Sequence, residues 1–165
     1  MGNLNLDDVR GFFRELVDPN FDDFYSDYQS EDECDRAKLV RIFRKMVNVC
    51  LTLNHQTDKV AKALKYDNAL ELIEEVSNRY KSEGAALDAV RRFSNDIKHI
   101  SKLDQNYTTR ERSDLDRSPG GPDLPEWYFL DTNGVKIAVC NAAVESYLFW
   151  GKYLAGERLL LKPKT

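Results

Sequence analysis

Apolar positions along the chain fall into a few clear rhythms, broken by two stretches with none. Leu39, Phe43, Met46, Cys50, Leu53, Thr57, Val60 and Leu64 follow one another in alternating steps of four and three. That step places one apolar stripe on an α-helix. The stripe predicts a helix over about Glu31 to Lys65, with Asn54 and His55 marking where it can divide in two. Its acidic start (Glu31, Asp32, Glu33, Asp35) suits the positive end of a helix dipole. Before it, Leu6 to Val17 reads as a short amphipathic helix capped by Asn5 and stopped by Pro19. The acidic, aromatic run Phe21 to Tyr28 reads as a helical turn or an extended arm lying on the body or on a partner.

Two further helices follow. Ala69, Ile73, Val76 and Tyr80 form a stripe capped by Asp67 and bent or ended at Gly84. Ala86, Val90, Phe93, Ile97 and Ile100 form the next, from Ala85 to about Leu103. From Asp104 to Glu126 the rhythm is lost and Ser118-Pro119-Gly120-Gly121-Pro122 intervenes, which predicts a long, mobile loop. Trp127 to Leu130 and Val135 to Val139 flank Asp131-Thr132-Asn133-Gly134. Asn-Gly supplies the positive φ angles of a tight turn, so this reads as a β-hairpin packed on helices. Asn141 is the expected cap of a last helix carrying Ala143, Tyr147, Trp150 and Leu154, which Gly156 closes. The expected fold is mainly all-α: one domain over 1–165, a bundle of four to five helices with a small C-terminal hairpin.

Composition narrows the function classes. Of 165 residues, 42% are hydrophobic, enough for one core, and no internal repeat divides the chain. Lys and Arg number 24 against 28 Asp and Glu, a net charge of −4. A protein that coats nucleic acid by bulk charge is thereby excluded, though a local basic site is not. No apolar run approaches the ~18 residues of a membrane span. The N-terminus has neither the basic start nor the apolar stretch of a secretory signal, and the Gly2 after Met1 is followed by acid rather than base. Three cysteines (Cys34, Cys50, Cys140) without a CxxC pair argue against a disulfide framework or a cysteine zinc site. The chain is expected to be cytoplasmic, with Cys50 an inert buried thiol.

Walker, HExxH and GxSxG signatures are missing. His55 and Asp58, three apart on a helix, are the nearest approach to a metal pair and read better as solvated polar residues. No metal and no cofactor is expected. The pattern that carries chemistry is Arg91-Arg92-Phe93-Ser94-Asn95-Asp96-Ile97-Lys98-His99. At ~100° per residue, Arg92, Asn95, Asp96 and His99 share a face roughly opposite the apolar stripe, with Lys102 on its edge. A histidine near neutral pKa can move a proton, and an arginine fork can hold a phosphate and its developing charge. The same residues also suit an ordinary solvated face.

Arg92, six residues, then His99, late in a helical chain and followed by a long loop and another helix, resembles the R-x(4–6)-H motif of the HEPN superfamily (higher eukaryotes and prokaryotes nucleotide-binding). Phe93 departs from the pattern, since many members carry a polar residue directly after the arginine. The resemblance implies a helical bundle that forms a homodimer, with motif helices meeting near the two-fold axis. It implies a metal-independent endoribonuclease of a prokaryotic defence or toxin–antitoxin system, in which the RNA 2′-OH attacks the adjacent phosphate. Carried over, His99 is the general acid or base, Arg92 stabilises the phosphate, and Asn95 and Asp96 support them. Arg91, Lys98 and Lys102 would contact RNA, with Arg110, Arg112 and Arg117 either adding to that patch or simply solvated. A single-stranded loop such as a tRNA anticodon suits so local a patch better than a duplex. Other members are non-catalytic dimeric modules bound to an antitoxin or regulatory partner, which is the alternative reading.

Overall fold

The computed structural model describes residues 4–97, 106–130, 134 and 136–160. It is mostly helical, with a small antiparallel sheet. Expectations that fall on Lys98, His99, Ile100 and Lys102, or on Asp131 to Asn133 of the turn, lie outside the described residues.

The chain opens with α1 (Val9–Phe12), a π-helical turn (Phe13–Val17) and α2 (Asp18–Tyr28), which follow without a break. Asp8, not Asn5, caps α1: its carboxylate accepts the Gly11 N–H at 3.0 Å. Pro19 does not stop the helix. The Asp18 N–H reaches back to the Phe13 carbonyl, a π-type bond, so the helix widens by one residue just before Pro19 and continues through it. Phe21 to Tyr28 is thereby helical, and Phe21, Phe24 and Tyr28 are buried. Phe21 stacks on Tyr147 with ring centroids 3.7 Å apart.

The long helix α3 (Arg36–Ala63) runs 28 residues unbroken through Asn54 and His55. Asp35 caps it by accepting the Lys38 N–H at 2.8 Å. The acidic residues expected in its first turn therefore precede it. Their loop is closed instead by the buried Lys38 ammonium, which donates to the carbonyls of Ser30 and Asp32. The stripe through Met46, Cys50, Leu53 and Val60 is buried.

Helix α4 (Ala69–Arg79) is capped by Asn68, whose side chain accepts the Glu71 N–H at 3.0 Å, rather than by Asp67. Helix α5 (Lys81–Asp96) starts directly after Tyr80, whose backbone is not helical, so Gly84 lies in its first turn instead of ending α4.

The stretch expected as loop contributes a strand, β1 (Tyr107–Arg110), and the start of another, β2 (Leu124–Leu130). With β3 (Lys136–Ala138) they form an antiparallel sheet in the order β1-β2-β3. The strands expected as a hairpin pair as β2 and β3, but as part of a three-stranded sheet in which β1 joins the far edge of β2. Pro125 fits the central strand because β3 pairs only with Tyr128, Phe129 and Leu130, beyond the proline. Gly134 has the positive φ (76°) expected of the turn. Trp127, Phe129 and Ile137 turn one sheet face into the core, where Trp127 meets Phe43 and Phe129 meets Phe93.

Helix α6 (Val139–Leu154) follows β3 directly, with no cap from Asn141. The fully buried Glu126 of β2 takes that role. Its carboxylate accepts the N–H groups of Cys140 (2.8 Å) and Asn141 (3.1 Å), as well as its own neighbour Trp127 (2.9 Å).

Candidate functional site

Helix α5 buries Val90 and Phe93 and sets its arginines on the half-exposed flank. Asp88 holds both. Its Oδ1 accepts Arg91 Nε and Nη2 at 3.3 and 3.1 Å, and its Oδ2 accepts Arg92 Nε at 2.8 Å. The spacings of three and four bring these groups to one side of the helix. Arg92 Nε is thereby anchored at the side of the guanidinium nearest its own helix.

Arg92 and Asp88 line a cleft of about 450 Å³ between α5, β3 and α6. Lys136 of β3 and Asn141 and Glu145 of α6 line it as well. Glu145 accepts Ser82 Oγ at 3.2 Å and Asn141 Nδ2 at 3.3 Å, so this carboxylate is already engaged on the cleft wall. Lys136 is exposed, its Nζ 4.1 Å from the Tyr128 ring centroid. The cleft thus carries two cationic side chains from different elements, Arg92 and Lys136, and two carboxylates, Asp88 paired with Arg92 and Glu145 held by Ser82 and Asn141.

The candidate residues that are described lie on α5. Arg92 reaches the cleft; Arg91 shares its carboxylate partner. Asn95 and Asp96 are exposed at the end of α5 and make no side-chain hydrogen bond among the described residues. His99, Lys98 and Lys102 lie outside them. Phe93, the departure from the family pattern, is a core residue 3% exposed, packed against Phe129, so it has no role on the polar flank. Asp88 was open to detection from its spacing to the two arginines. Lys136, Asn141 and Glu145 were not, because they come from elements forty or more residues further along the chain.

The loop arginines have other work. Arg110 donates to Asp116 at 2.8 and 2.9 Å and to Tyr28 Oη at 2.8 and 3.1 Å. Arg112 donates to the carbonyls of Pro122 and Arg117 at 2.6 Å each and of Ser30 at 3.2 Å. Arg117 lies over the Tyr25 ring. They tie the segment between β1 and β2 to α2, and the structure does not gather them with Arg92. Asp116, fixed by Arg110, has its carboxyl held well below the usual carboxylate range.

Among the described residues no three His, Cys, Asp or Glu side chains converge as a metal site, and His55 is exposed. Nor is any described helix long and apolar enough to cross a membrane. No family model matches the chain, and neither a curated protein nor a solved structure matches it.

Proposed function

We propose that this protein is a metal-independent endoribonuclease, acting on single-stranded RNA in a prokaryotic defence or toxin–antitoxin setting, with Arg92 and His99 as its catalytic pair. The supporting observation is the anchoring of Arg92 by Asp88 on the wall of a cleft with Lys136 across it. An arginine fixed through Nε is preorganised to meet a phosphate, and a second cation matches the polyanion.

In this scheme His99 takes the proton of an RNA 2′-OH, whose oxygen attacks the adjacent phosphorus. The P–O5′ bond breaks, the leaving 5′-oxygen gains a proton, and a 2′,3′-cyclic phosphate remains. Arg92 neutralises charge developing on the non-bridging oxygens. Asn95 and Asp96 support the pair; Arg91, Lys98 and Lys102 contribute to RNA contact. A homodimer brings two such helices together into one composite site.

The test is cleavage of a broad RNA pool in the presence of chelator. Wild type is expected to cut and leave cyclic phosphate ends. Both His99→Ala and Arg92→Ala are expected to lose ~10²–10⁴-fold in rate. An inactive wild type, or a fully active His99→Ala, overturns the assignment. One observation favours a second reading, the non-catalytic dimeric module: Asp88 offsets the charge of both Arg91 and Arg92. Inactive protein that forms a stable dimer in light scattering supports that reading.

A further inference from the structure

The sheet has one face in the core and one that changes character along its length. On the second face Glu126 is buried beneath the start of α6, whereas Tyr128 is half-buried and Leu130 is 73% exposed. Strand pairing places Asn106 and Thr108 on one side of Tyr128 and Lys136 on the other. Tyr128 N–H donates to the Asn106 carbonyl at 2.9 Å, Thr108 is opposite Glu126, and Lys136 is opposite Leu130. These residues surround a hollow of about 420 Å³ on the open sheet face.

Lys136 lines this hollow and also the cleft that holds Arg92. The two concavities are therefore neighbours that share one cation. An aromatic ring on the sheet, polar side chains at its edge, then Lys136, then Arg92 form a track. The order suits a nucleotide followed by its phosphates, because every base has a π-face to stack and every linkage carries a negative charge. Lys136 Nζ lies over the Tyr128 ring, 4.1 Å from its centroid, in a cation–π contact that shows the ring face can be reached from the solvent side of the sheet. Its flexible stem lets the ammonium leave the ring for a phosphate when a base arrives.

We propose that Tyr128 is a base-stacking subsite for single-stranded RNA, with Lys136 holding the phosphate between that base and Arg92. The inference rests on the reading of the Arg92 cleft as an RNA site and extends it to where the neighbouring nucleotide is held. Thr108 and Asn106 flank the base, so a modest base preference resides there. The platform admits unpaired strands only, since a duplex hides its base faces.

The experiment is direct binding, kept separate from cleavage. A short fluorescein-labelled 2′-O-methyl oligoadenylate, which lacks the attacking hydroxyl, is titrated with full-length protein by fluorescence anisotropy. An abasic strand of equal charge is titrated in parallel. Wild type is expected to bind the base-bearing strand about tenfold more tightly. Tyr128→Ala is expected to erase that difference, and Tyr128→Phe to keep it. Lys136→Ala is expected to weaken both strands alike and to flatten the salt dependence. Equal wild-type affinity for the two strands overturns the proposal without need of any variant. So does a Tyr128→Ala protein, folded by circular dichroism, that keeps the preference. Base-dependent binding without cleavage leaves the subsite standing and removes the nuclease. Cleavage with Tyr128-independent binding does the reverse, and no binding of either strand overturns the subsite while the nuclease stands or falls by the cleavage assay.

Discussion

The Glu126 carboxylate accepts the Cys140 N–H at 2.8 Å, fastening the middle of the sheet to the first turn of α6. The helix lacks a cap from its own flanking residues, so a strand side chain satisfies its first free N–H groups. Glu126→Ala leaves those buried donors without a partner and is expected to cost about 3 kcal/mol in urea unfolding. Glu126→Gln keeps one acceptor oxygen but turns an NH₂ toward the remaining donors, so it is expected to recover only part of the loss.

Acid stability separates by sign. Asp27, bonded to Arg41 and Lys45, has its carboxyl lowered from 3.8 to about 2, chiefly by the Arg41 hydrogen bond, and Asp116 is lowered by Arg110. A lowered folded pKa means stability present above the unfolded value and lost as pH falls through the folded one. Burial pushes Glu126 up from its ordinary value near 4.5, so its contribution is largest in acid and declines as pH rises above that value. Melting temperatures are therefore expected to fall as pH drops from about 4 toward 2, and Asp27→Asn is expected to flatten that fall.

Gly84 is fixed by a close approach of helices rather than by a turn. A Cβ there would lie 2.3 Å from Ser77 Oγ and 2.4 Å from Ser77 Cα. Alanine usually gains up to about 1 kcal/mol over glycine in a helix. Here the clash reverses the sign, and Gly84→Ala is expected to destabilise by roughly 1–3 kcal/mol. Adding Ser77→Ala is not expected to rescue it, because the backbone of Ser77 remains in the way.

Asp88 offers a test of the cleft in which affinity and rate move apart. Asp88→Asn removes a negative charge beside Arg91 and Arg92 and loosens the Arg92 Nε anchor. Binding of the 2′-O-methyl strand is expected to tighten a few-fold, while the single-turnover cleavage rate falls. Falling affinity would show that Asp88 does something other than orient the arginine.

Arg110 joins β1, the following loop and α2 through Asp116 and Tyr28. Arg110→Ala is expected to open the segment 111–123 to limited proteolysis and to cost about 2 kcal/mol, since Asp116 is nearly buried. An unchanged cleavage pattern would show that Arg112, Arg117 and Gln29 hold the segment without Arg110.

The sequence by itself determined helices α3 to α6, because a repeating step of three and four records which side of each helix meets the core. The stripes of α3, α4 and α5, the β2–β3 pair and the burial of Phe93 opposite Arg92 were all legible from it. Local rules failed where a distant partner overrode them. Pro19 passes because a π-helical turn precedes it, and β1 forms within a polar stretch because β2 supplies its ladder. Asn141 is displaced as a cap because Glu126 arrives from another strand. At the site, Arg92 and the spacing to Asp88 are properties of one helix and could be read along it. Only the tertiary structure brought Lys136 and Glu145 beside them, and Tyr128 beside Lys136, since side chains on separate strands and helices meet through packing, which leaves no period in the sequence.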